Sequence, residues 1–345
     1  CFWQMQEQGI LPNEVTFLCV LQACGIGKCI ELGKRLHAEL EEEGLFRKQI
    51  LLGTTLVDMY AKCGMLETSK RVFEELPERN VVSWSALIAG YVEHGRSDEA
   101  LECFMQMQHK GITPNSITFL CVLKACGNIG SVEKGKEIHA KIHNNLLKKD
   151  TTLGTALIDM YVKCSALSKA QELFDELLIL DVISWNVLIT GYIEHGWNED
   201  ALRLYDKMKY EDIVPNSITF LCCLKACTSI RDIEKGQEIH SEIGRRGMME
   251  SNLSLGSAMV DMYSKCGSMK DAWKVFITIP IKTDVCFNAM IIGCAQLGCA
   301  EDSLKLFWDM ESKHVTRTLI TYVGALKACS ILGNLEKGKQ IHESF

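Results

Sequence analysis

Apolar residues recur every three or four positions along most of the chain, which is the spacing of one face of an α-helix. Residues 81–115 illustrate the pattern, with a first apolar stripe at Trp84, Leu87, Ile88, Tyr91 and Val92. A second stripe follows at Ala100, Leu101, Phe104 and Met105. Since no segment keeps the apolar–polar alternation typical of a half-buried strand, the pattern predicts an all-α fold without a sheet.

Helix-terminating and helix-capping residues separate the two apolar stripes, as expected for a helical hairpin. Gly95 follows the first stripe, as a helix-terminating glycine does. Ser97 is then a candidate N-cap of the second helix, and the acidic residues after it suit the positive end of the helix dipole. Gly111 and Pro114 end the second stripe. The segment therefore predicts two antiparallel helices joined by a short turn.

The chain repeats itself at long intervals. The line "ITFLCVLKACGNIGSVEKGKEIHAKI" at 117–142 recurs as "ITFLCCLKACTSIRDIEKGQEIHSEI" at 218–243, with an earlier copy at 15–40 and a fourth beginning at Ile320. Likewise "SWSALIAGYVEHG" at 83–95 returns as "SWNVLITGYIEHG" at 184–196. Such fixed periods are typical of solenoids, in which a hairpin buries its apolar faces only by stacking on its neighbours.

Three kinds of unit alternate, with lengths of about 36, 31 and 35 residues. We expect a single array across residues 1–345, divided at 1–13, 14–49, 50–80, 81–115, 116–150, 151–181, 182–216, 217–252, 253–283, 284–318 and 319–345. The first and last units are partial. The absence of an initial Met leads us to expect a piece of a longer protein, so a missing targeting segment says nothing about the compartment.

Composition narrows the picture further. The formal net charge of −7 does not favour nucleic acid, although a groove can be locally positive on an acidic molecule. Seven of the 17 cysteines recur at two fixed repeat positions, in "AC" at Cys24, Cys126, Cys227 and Cys329 and in "KC" at Cys63, Cys164 and Cys266. We interpret them as small buried residues with free thiols in a reducing compartment. No apolar run is long enough for a transmembrane helix.

The three-unit rhythm resembles the pentatricopeptide repeat (PPR) family in its plant organellar P-L-S form. The P type is carried by "VSWSALIAGYVEHGRSDEALECFMQMQHKGITPN" at 82–115, the L type by the line at 117–142, and the S type by "GTTLVDMYAKCGMLETSKRVFEELPERN" at 53–80. In this assignment the units 50–80, 151–181 and 253–283 are S type, and the units beginning at residues 81, 182 and 284 are P type.

The resemblance implies a right-handed α-solenoid superhelix that binds single-stranded RNA, about one base per repeat. It further implies a role in guiding C-to-U editing of transcripts in the mitochondrion or chloroplast, with editing-complex proteins as candidate partners. It implies no cofactor, metal, membrane or small-molecule substrate. The alternative is a protein-binding scaffold like a tetratricopeptide array, which uses the same kind of groove.

In this family the fifth and last residues of a unit read the base. The resemblance therefore assigns base reading to the pairs Thr54 and Asn80, Ser85 and Asn115, Thr155 and Asp181, Asn186 and Asn216, Ser257 and Thr283, and Asn288 and Thr318. An Asp carboxylate only accepts hydrogen bonds and suits guanine or uracil, whereas an Asn amide also donates and suits adenine or cytosine. With a short fifth residue favouring purines, the first four pairs predict A, A, G and C, the last with U as second choice.

The last group of three units, here called the last triplet, departs from the repeat pattern. In it "TDVCFNAMI" replaces "LDVISWNVLI", and the spacing shifts by one residue. We expect weak purine and pyrimidine preferences there, and a helix starting one residue later would put Asp284 in place of Thr283. Leu18, Leu120 and Leu221 occupy the fifth position of the L-type units, which predicts spacers. Lys62, Lys163 and Lys265 share one position, where the family's lysine approaches phosphate; the alternative is a solvated lysine.

Two motifs imitate catalytic sites. "GSVEKGK" at 130–136 resembles a P-loop, but Glu137 follows it, no strand precedes it, and "GNLEKGK" at 333–339 repeats it at the same position. We interpret it as the turn between two helices. "HAE" at His37 and "HSE" at His240 resemble a zinc deaminase motif, but the copy at His139 reads "HAK" and no C-x-x-C accompanies them. These histidines are expected to pack between repeats, so we predict no catalysis by this chain.

Overall fold

The computed structural model describes residues 2–42, 44–45, 49–142 and 150–345, and within these ranges it contains helices and no strand. The predicted all-α fold of helical hairpins is confirmed. The first helices of the hairpins are Glu14–Ile26, Ile50–Lys62, Val81–Glu93, Ser116–Ile129, Thr151–Lys163, Val182–Glu194, Ser217–Ile230, Leu253–Lys265, Asp284–Gln296 and Leu319–Leu332.

The second helices follow after short turns. They are Phe2–Glu7, Ile30–Glu42, Leu66–Glu75, Ser97–His109, Val132–Lys141, Leu167–Glu176, Asn198–Tyr210, Ile233–Arg245, Met269–Thr278, Ala300–Ser312 and Leu335–Glu343, and a short helix Met248–Ser251 stands between two hairpins. The connections that close the units 14–49 and 116–150 lie partly outside the described residues.

The chain forms two compact units, Cys1–Leu180 and Asp181–Phe345. Within each unit, every first helix packs against the first helix of the next hairpin, and the second helices pack against the first helix of their own hairpin. The first helices therefore make one layer and the second helices another. Among the described residues, none of the helices combines the length and apolar character needed to cross a bilayer.

The core lies between these two layers and consists of the predicted apolar stripes. Trp84, Leu87, Ile88 and Tyr91 are buried, and the Trp84 ring meets Phe73 of the preceding hairpin edge-on at 4.6 Å between centroids. Burying an aromatic side chain of this size is a large share of the stability of one hairpin interface.

Two local predictions within residues 81–115 were wrong. Met105 is 58% exposed, and Met107 lies in the core instead, because it is one helical turn beyond Phe104 on the buried face. Ser97 is the first residue of its helix and not the N-cap, which is Arg96. The Ser97 hydroxyl is buried and accepts a hydrogen bond from Asn128 Nδ2 at 3.4 Å, so the neighbouring hairpin uses it.

The recurring cysteines follow the interpretation made from their spacing. Cys24, Cys126, Cys227 and Cys329 are buried free thiols, as is Cys164, while Cys63 and Cys266 are half-buried. Burial raises the pKa of Cys126 and of Cys227 to about 12, which keeps these sulfurs protonated and unreactive. They act as small apolar residues in the contact between neighbouring first helices.

Candidate nucleic-acid interface

The last residue of each unit is the N-cap of the next first helix. Asn115 Oδ1 accepts a hydrogen bond from the backbone N–H of Thr118 at 2.9 Å, and Asn216 Oδ1 accepts one from Thr219 at 3.0 Å. Asn80 Oδ1 caps two N–H groups at 3.0 Å. Because a helix N-terminus presents only donors, it selects the side-chain oxygen of asparagine. The amide nitrogen of each residue is thereby left over.

Asp181 caps its helix in the same way, with one carboxylate oxygen only. Its Oδ1 accepts from the backbone N–H of Ser184 at 2.9 Å and from the Ser184 hydroxyl at 3.0 Å. The second oxygen, Oδ2, takes no part in the cap. Capping therefore leaves a hydrogen-bond donor on each asparagine and an acceptor on Asp181, at equivalent places along the chain.

The fifth residues of these units are nearly buried. They are between 5% and 9% exposed, namely Thr54, Ser85, Thr155, Asn186, Ser257 and Asn288. Sequence reasoning assigned base reading to both members of each pair without distinguishing them. The structure distinguishes an exposed or half-buried last residue from a nearly buried fifth residue.

In the unit 81–115 a buried hydroxyl joins the two predicted reading residues. Thr118 Oγ1 lies 2.7 Å from Ser85 Oγ and 2.9 Å from Asn115 Oδ1. Because Asn115 Oδ1 can only accept, we assign the Thr118 proton to it, which makes Ser85 the donor to Thr118. The remaining lone pairs of Ser85 can accept a further hydrogen bond, beside the free amide nitrogen of Asn115.

In the unit 182–216 the same hydroxyl position produces a different arrangement. Asn186 Nδ2 donates to Asn216 Oδ1 at 3.1 Å. Thr219 Oγ1 lies 3.1 Å from Asn216 Oδ1 and 2.7 Å from Asn186 Oδ1, and we assign its proton to the shorter contact, with Asn186. Asn216 Oδ1 is then saturated by the bond from Asn186 and the cap. What remains is the amide nitrogen of Asn216 and the second N–H of Asn186, which are two donors.

The last triplet keeps this geometry with other residues. The helix Asp284–Gln296 begins at Asp284 with Thr283 as N-cap, so Thr283 and not Asp284 stands where Asn80 and Asp181 stand. Ser257 Oγ lies 3.3 Å from Thr283 Oγ1.

The following unit also retains its pair. Asn288 Nδ2 donates to Thr318 Oγ1 at 3.1 Å, and Thr321 Oγ1 donates to Asn288 Oδ1 at 2.6 Å.

Two units present their pair differently. Thr54 Oγ1 is buried and has no hydrogen-bond partner among the described residues, which is costly for a hydroxyl unless a ligand satisfies it. Thr155 donates to the backbone oxygen of Thr151 at 3.0 Å. Thr155 belongs to the compact unit Cys1–Leu180, whereas Asp181 belongs to Asp181–Phe345, and each is described only within its own unit.

Sequence reasoning missed one further position of the site. It is the third residue of the unit that comes directly after each predicted reading pair. At this position the buried residues are Ser83, Thr118, Ser184, Thr219, Cys286 and Thr321. The available signal was an isolated polar residue in the apolar start of a first helix, as in "SITF" and "VVSW". It was overlooked because such a residue resembles an ordinary capping-box partner.

A row of exposed apolar side chains was also missed. The second residue of the first helices is more than half exposed at Val15, Leu51, Val82, Ile117, Ile183, Ile218, Val285 and Ile320. These side chains stand three residues before the fifth position, hence on the same side of each helix. An exposed aliphatic residue at one fixed position suits the face of a planar ring.

The three predicted phosphate-contacting lysines are neither buried nor simply solvated. Lys62, Lys163 and Lys265 each form an ion pair with the aspartate four residues earlier in the same helix, at 2.7, 2.7 and 2.8 Å. The aspartates are Asp58, Asp159 and Asp261. A phosphate would have to compete with these carboxylates.

The fifth positions of the spacer units offer no polar group. Leu18, Leu120 and Leu221 are half-buried at that position.

The P-loop-like segment is a helix start. Gly130 ends the preceding helix with φ 73°, Ser131 caps the next one, and Gly135 lies inside the helix Val132–Lys141. A Cβ on Gly135 would lie 2.4 Å from Met160 Sδ, so this glycine allows the next hairpin to approach. The segment is the predicted turn between helices and forms no phosphate-binding loop.

The histidines of the deaminase-like motifs pack between hairpins, as predicted. Nδ1 of His37, His139 and His240 lies 2.9–3.0 Å from the hydroxyl of Tyr60, Tyr161 and Tyr263, respectively. Burial lowers the pKa of all three histidines, and it raises the pKa of Tyr60 and Tyr263 to about 12. Among the described residues no group of three or more His, Cys, Asp or Glu side chains converges as a metal site.

Comparison with known proteins agrees with this architecture. The family described as the PPR repeat family matches residues 79–128 and 180–229, and the PPR repeat matches 54–81, 155–182, 257–279 and 285–315. Together these matches cover more than half of the chain.

Curated relatives extend along nearly the whole chain. A chloroplastic pentatricopeptide repeat-containing protein of Arabidopsis thaliana is 33% identical over 99% of this chain and 55% of its own length. A mitochondrial one from the same plant is 35% identical over 99% of this chain and 33% of its own length. The chain thus spans about half or less of these relatives.

Among solved structures, the fold is similar to that of the pentatricopeptide repeat protein PPR10 in complex with an 18-nt psaJ RNA element. The TM-score is 0.75 at 16% sequence identity, covering 99% of this chain and 51% of PPR10. The repeated hairpins, the family matches and the extended similarity to named relatives lead to one conclusion: the chain belongs to the PPR repeat family, the pentatricopeptide repeat proteins.

Proposed function

We propose that this chain binds single-stranded RNA, that the units with a polar fifth residue each read one base, and that the longer protein guides C-to-U editing of an organellar transcript. The observation that carries the proposal is the capping geometry of the last residues. Each cap uses an oxygen and leaves one defined group, an amide nitrogen on Asn115 and Asn216 or a carboxylate oxygen on Asp181.

These free groups match base edges of opposite character. Adenine N1 and cytosine N3 are acceptors and suit the asparagine nitrogens, whereas guanine N1–H and uracil N3–H are donors and suit Asp181 Oδ2. The Ser85 acceptor beside the Asn115 donor complements adenine, whose N6 amino group lies next to N1. The two donors of Asn186 and Asn216 complement cytosine, which presents N3 and O2 as neighbouring acceptors.

Two further features support RNA binding. The Thr54 hydroxyl is closed off from solvent and lacks a partner among the described residues, and a base amino or carbonyl group would satisfy it once the atoms that cover it move aside. The row of exposed Val, Ile and Leu side chains offers apolar contact to the faces of unstacked bases, whose desolvation favours binding without regard to sequence. Phosphate contacts by Lys62, Lys163 and Lys265 are part of the proposal and require each lysine to exchange its aspartate for RNA.

The compartment and the editing role rest on resemblance. The named relatives are chloroplastic or mitochondrial, and PPR10 is a PPR protein in complex with RNA. In this proposal the P-L-S order of the units assigns the longer protein to the editing type. Deamination itself would then be carried by another domain or a partner protein, which the chain positions on the transcript.

Base reading is tested by fluorescence anisotropy at fixed salt with the 345-residue chain and short RNAs. An RNA with A, A, G and C at the positions of the units 50–80, 81–115, 151–181 and 182–216 should bind at least about tenfold more tightly than its complement. The variant Asp181→Asn should move the preference from G towards A at its own position only. Equal affinity for both RNAs would contradict base reading, and tight binding of a peptide instead would favour the scaffold alternative.

The editing role needs a separate test. We expect plants that lack the full-length protein to lose C-to-U conversion at a site downstream of a matching sequence, measured by sequencing organellar RNA. Unchanged editing at all sites would contradict this part of the proposal and leave RNA binding unaffected.

A further inference from the structure

We infer that the hydroxyl at the third residue of the following unit is a positioning residue for base discrimination, because it fixes which group the fifth residue presents to the base. This inference rests on the proposed RNA-reading function. Thr118 and Thr219 carry it most clearly, since each is fully buried and contacts both members of a reading pair.

The hydroxyl has one proton, and its direction sets the orientation of the fifth side chain. In the pair Asn186–Asn216 the Thr219 proton points to Asn186 Oδ1, which holds the Asn186 amide with its nitrogen towards Asn216 Oδ1. Without that donor only the bond to Asn216 Oδ1 holds this orientation. A flipped Asn186 would present an oxygen and would suit an amino group where the native pair presents only donors.

With a serine at the fifth position the same hydroxyl has the opposite effect. With the Thr118 proton assigned to Asn115 Oδ1, Ser85 donates to Thr118 and shows its lone pairs. The third-residue hydroxyl thus converts Ser85 into an acceptor and Asn186 into a donor. Neither reading residue determines this by itself.

The chain contains a natural variant of the arrangement. In the unit 253–283 the third position of the following unit is Cys286, whose Sγ lies 2.9 Å from Ser257 Oγ and 3.6 Å from Thr283 Oγ1. A thiol is a weaker hydrogen-bond donor and acceptor than a hydroxyl. Ser257 donates to the backbone oxygen of Leu253 at 3.2 Å, so its own helix and not the third residue directs its proton. We therefore expect this pair to discriminate bases less than the pairs beside Thr118 and Thr219.

A merely structural role for Thr219 is the competing explanation, since its hydroxyl also accepts the backbone N–H of Asn216 at 3.1 Å and thereby completes the helix cap. The two roles separate by their readouts. Loss of a cap lowers thermal stability and weakens binding of every RNA equally. Loss of orientation changes the ratio of affinities between two RNAs that differ in one base.

The test compares the full 345-residue chain with Thr219→Val, Thr219→Ser and the control Thr228→Val. Thr228 lies in the same helix, and its hydroxyl bonds only the backbone oxygen of Leu224 among the described residues, at 2.7 Å. The probes are two RNAs that carry C or A opposite the unit 182–216, with melting followed by circular dichroism. The wild type should prefer C by on the order of tenfold.

Thr219→Val should reduce this ratio to within about threefold, mainly by binding the A-containing RNA more tightly, and Thr219→Ser should restore it. Thr228→Val should keep the wild-type ratio. If Thr219→Val does not fold, Thr219→Cys replaces it, because Cys286 occupies the same position in this chain; it should give an intermediate ratio.

An unchanged ratio in a folded Thr219→Val or Thr219→Cys variant would overturn the inference. A wild-type chain that does not distinguish the two RNAs would instead contradict the proposed reading at this unit.

Discussion

Gly90 lies at a close contact between two hairpins, and the effect of substituting it on stability can be calculated. It lies in the helix Val81–Glu93, and a Cβ added there would be 2.4 Å from Ala61 Cβ and 3.5 Å from Ala61 Cα in the helix Ile50–Lys62. Ala61 is 1% exposed, and neither atom can rotate away because both are fixed to backbone. Gly90→Ala must therefore push the two first helices apart.

The expected magnitude combines two opposing terms. Two methyl groups in ordinary contact are about 3.5–4 Å apart, so the helices have to separate by more than about 1 Å, which corresponds to overpacking of about 3 kcal/mol. Alanine is a better helix former than glycine by about 1 kcal/mol. We expect the free energy of unfolding to decrease by about 2 kcal/mol. For a compact unit of the size of Cys1–Leu180, this lowers the melting temperature by about 4–8 °C.

Thermal and urea unfolding by circular dichroism measure this effect, with Gly244→Ala as the matched control. Gly244 also lies within a helix and is exposed, and a Cβ added to it would have no neighbouring atom within 4 Å, so its substitution should stabilise the chain by about 0.5–1 kcal/mol. The double variant Ala61→Gly/Gly90→Ala should be more stable than the sum of the single changes predicts, by about 1–3 kcal/mol. A Gly90→Ala chain as stable as the wild type would refute the packing argument.

Three further predictions follow from the buried and paired side chains. Burial lowers the pKa of His139, so as the pH falls this imidazole is protonated in the unfolded chain before it is protonated in the folded chain. The free energy of unfolding should therefore decrease below about pH 6.5, and His139→Gln should reduce this loss of stability in urea titrations. Asp159→Asn should free Lys163 and raise both RNA affinity and its salt dependence, whereas Lys163→Met should lower the salt slope by about 0.7. Exposed Cys19 and Cys29 should react with iodoacetamide in the native chain, whereas buried Cys126 should react only after unfolding, as mass spectrometry would show.

The sequence was sufficient for features that depend on neighbouring residues. The helical spacing of Trp84, Leu87 and Ile88 predicted a helix and its buried face, and both are present. The histidines and the P-loop-like segment were interpreted correctly because their recurrence at one repeat position pointed to packing. The errors at Ser97 and Met105 arose where two adjacent residues fitted the local pattern and the neighbouring hairpin selected between them.

The ion pairs of the three lysines could have been predicted from the sequence, because each aspartate stands four residues before its lysine on the same helix face. They were overlooked since the family resemblance directed attention to phosphate. Which residue caps the helix Asp284–Gln296 was harder to predict from the sequence. Either Thr283 or Asp284 could cap a helix, and the structure places the cap at Thr283, beside Ser257.

The sequence by itself determined the helices and the rhythm of the hairpins, because these depend on residues within about four positions of one another. Only the tertiary structure decided which polar group each predicted reading residue presents. Ser85 meets Thr118 and Asn186 meets Asn216 across 33 and 30 residues, through the stacking of one hairpin on the next. A hydroxyl proton goes where an acceptor lies in space, and no local pattern records that position.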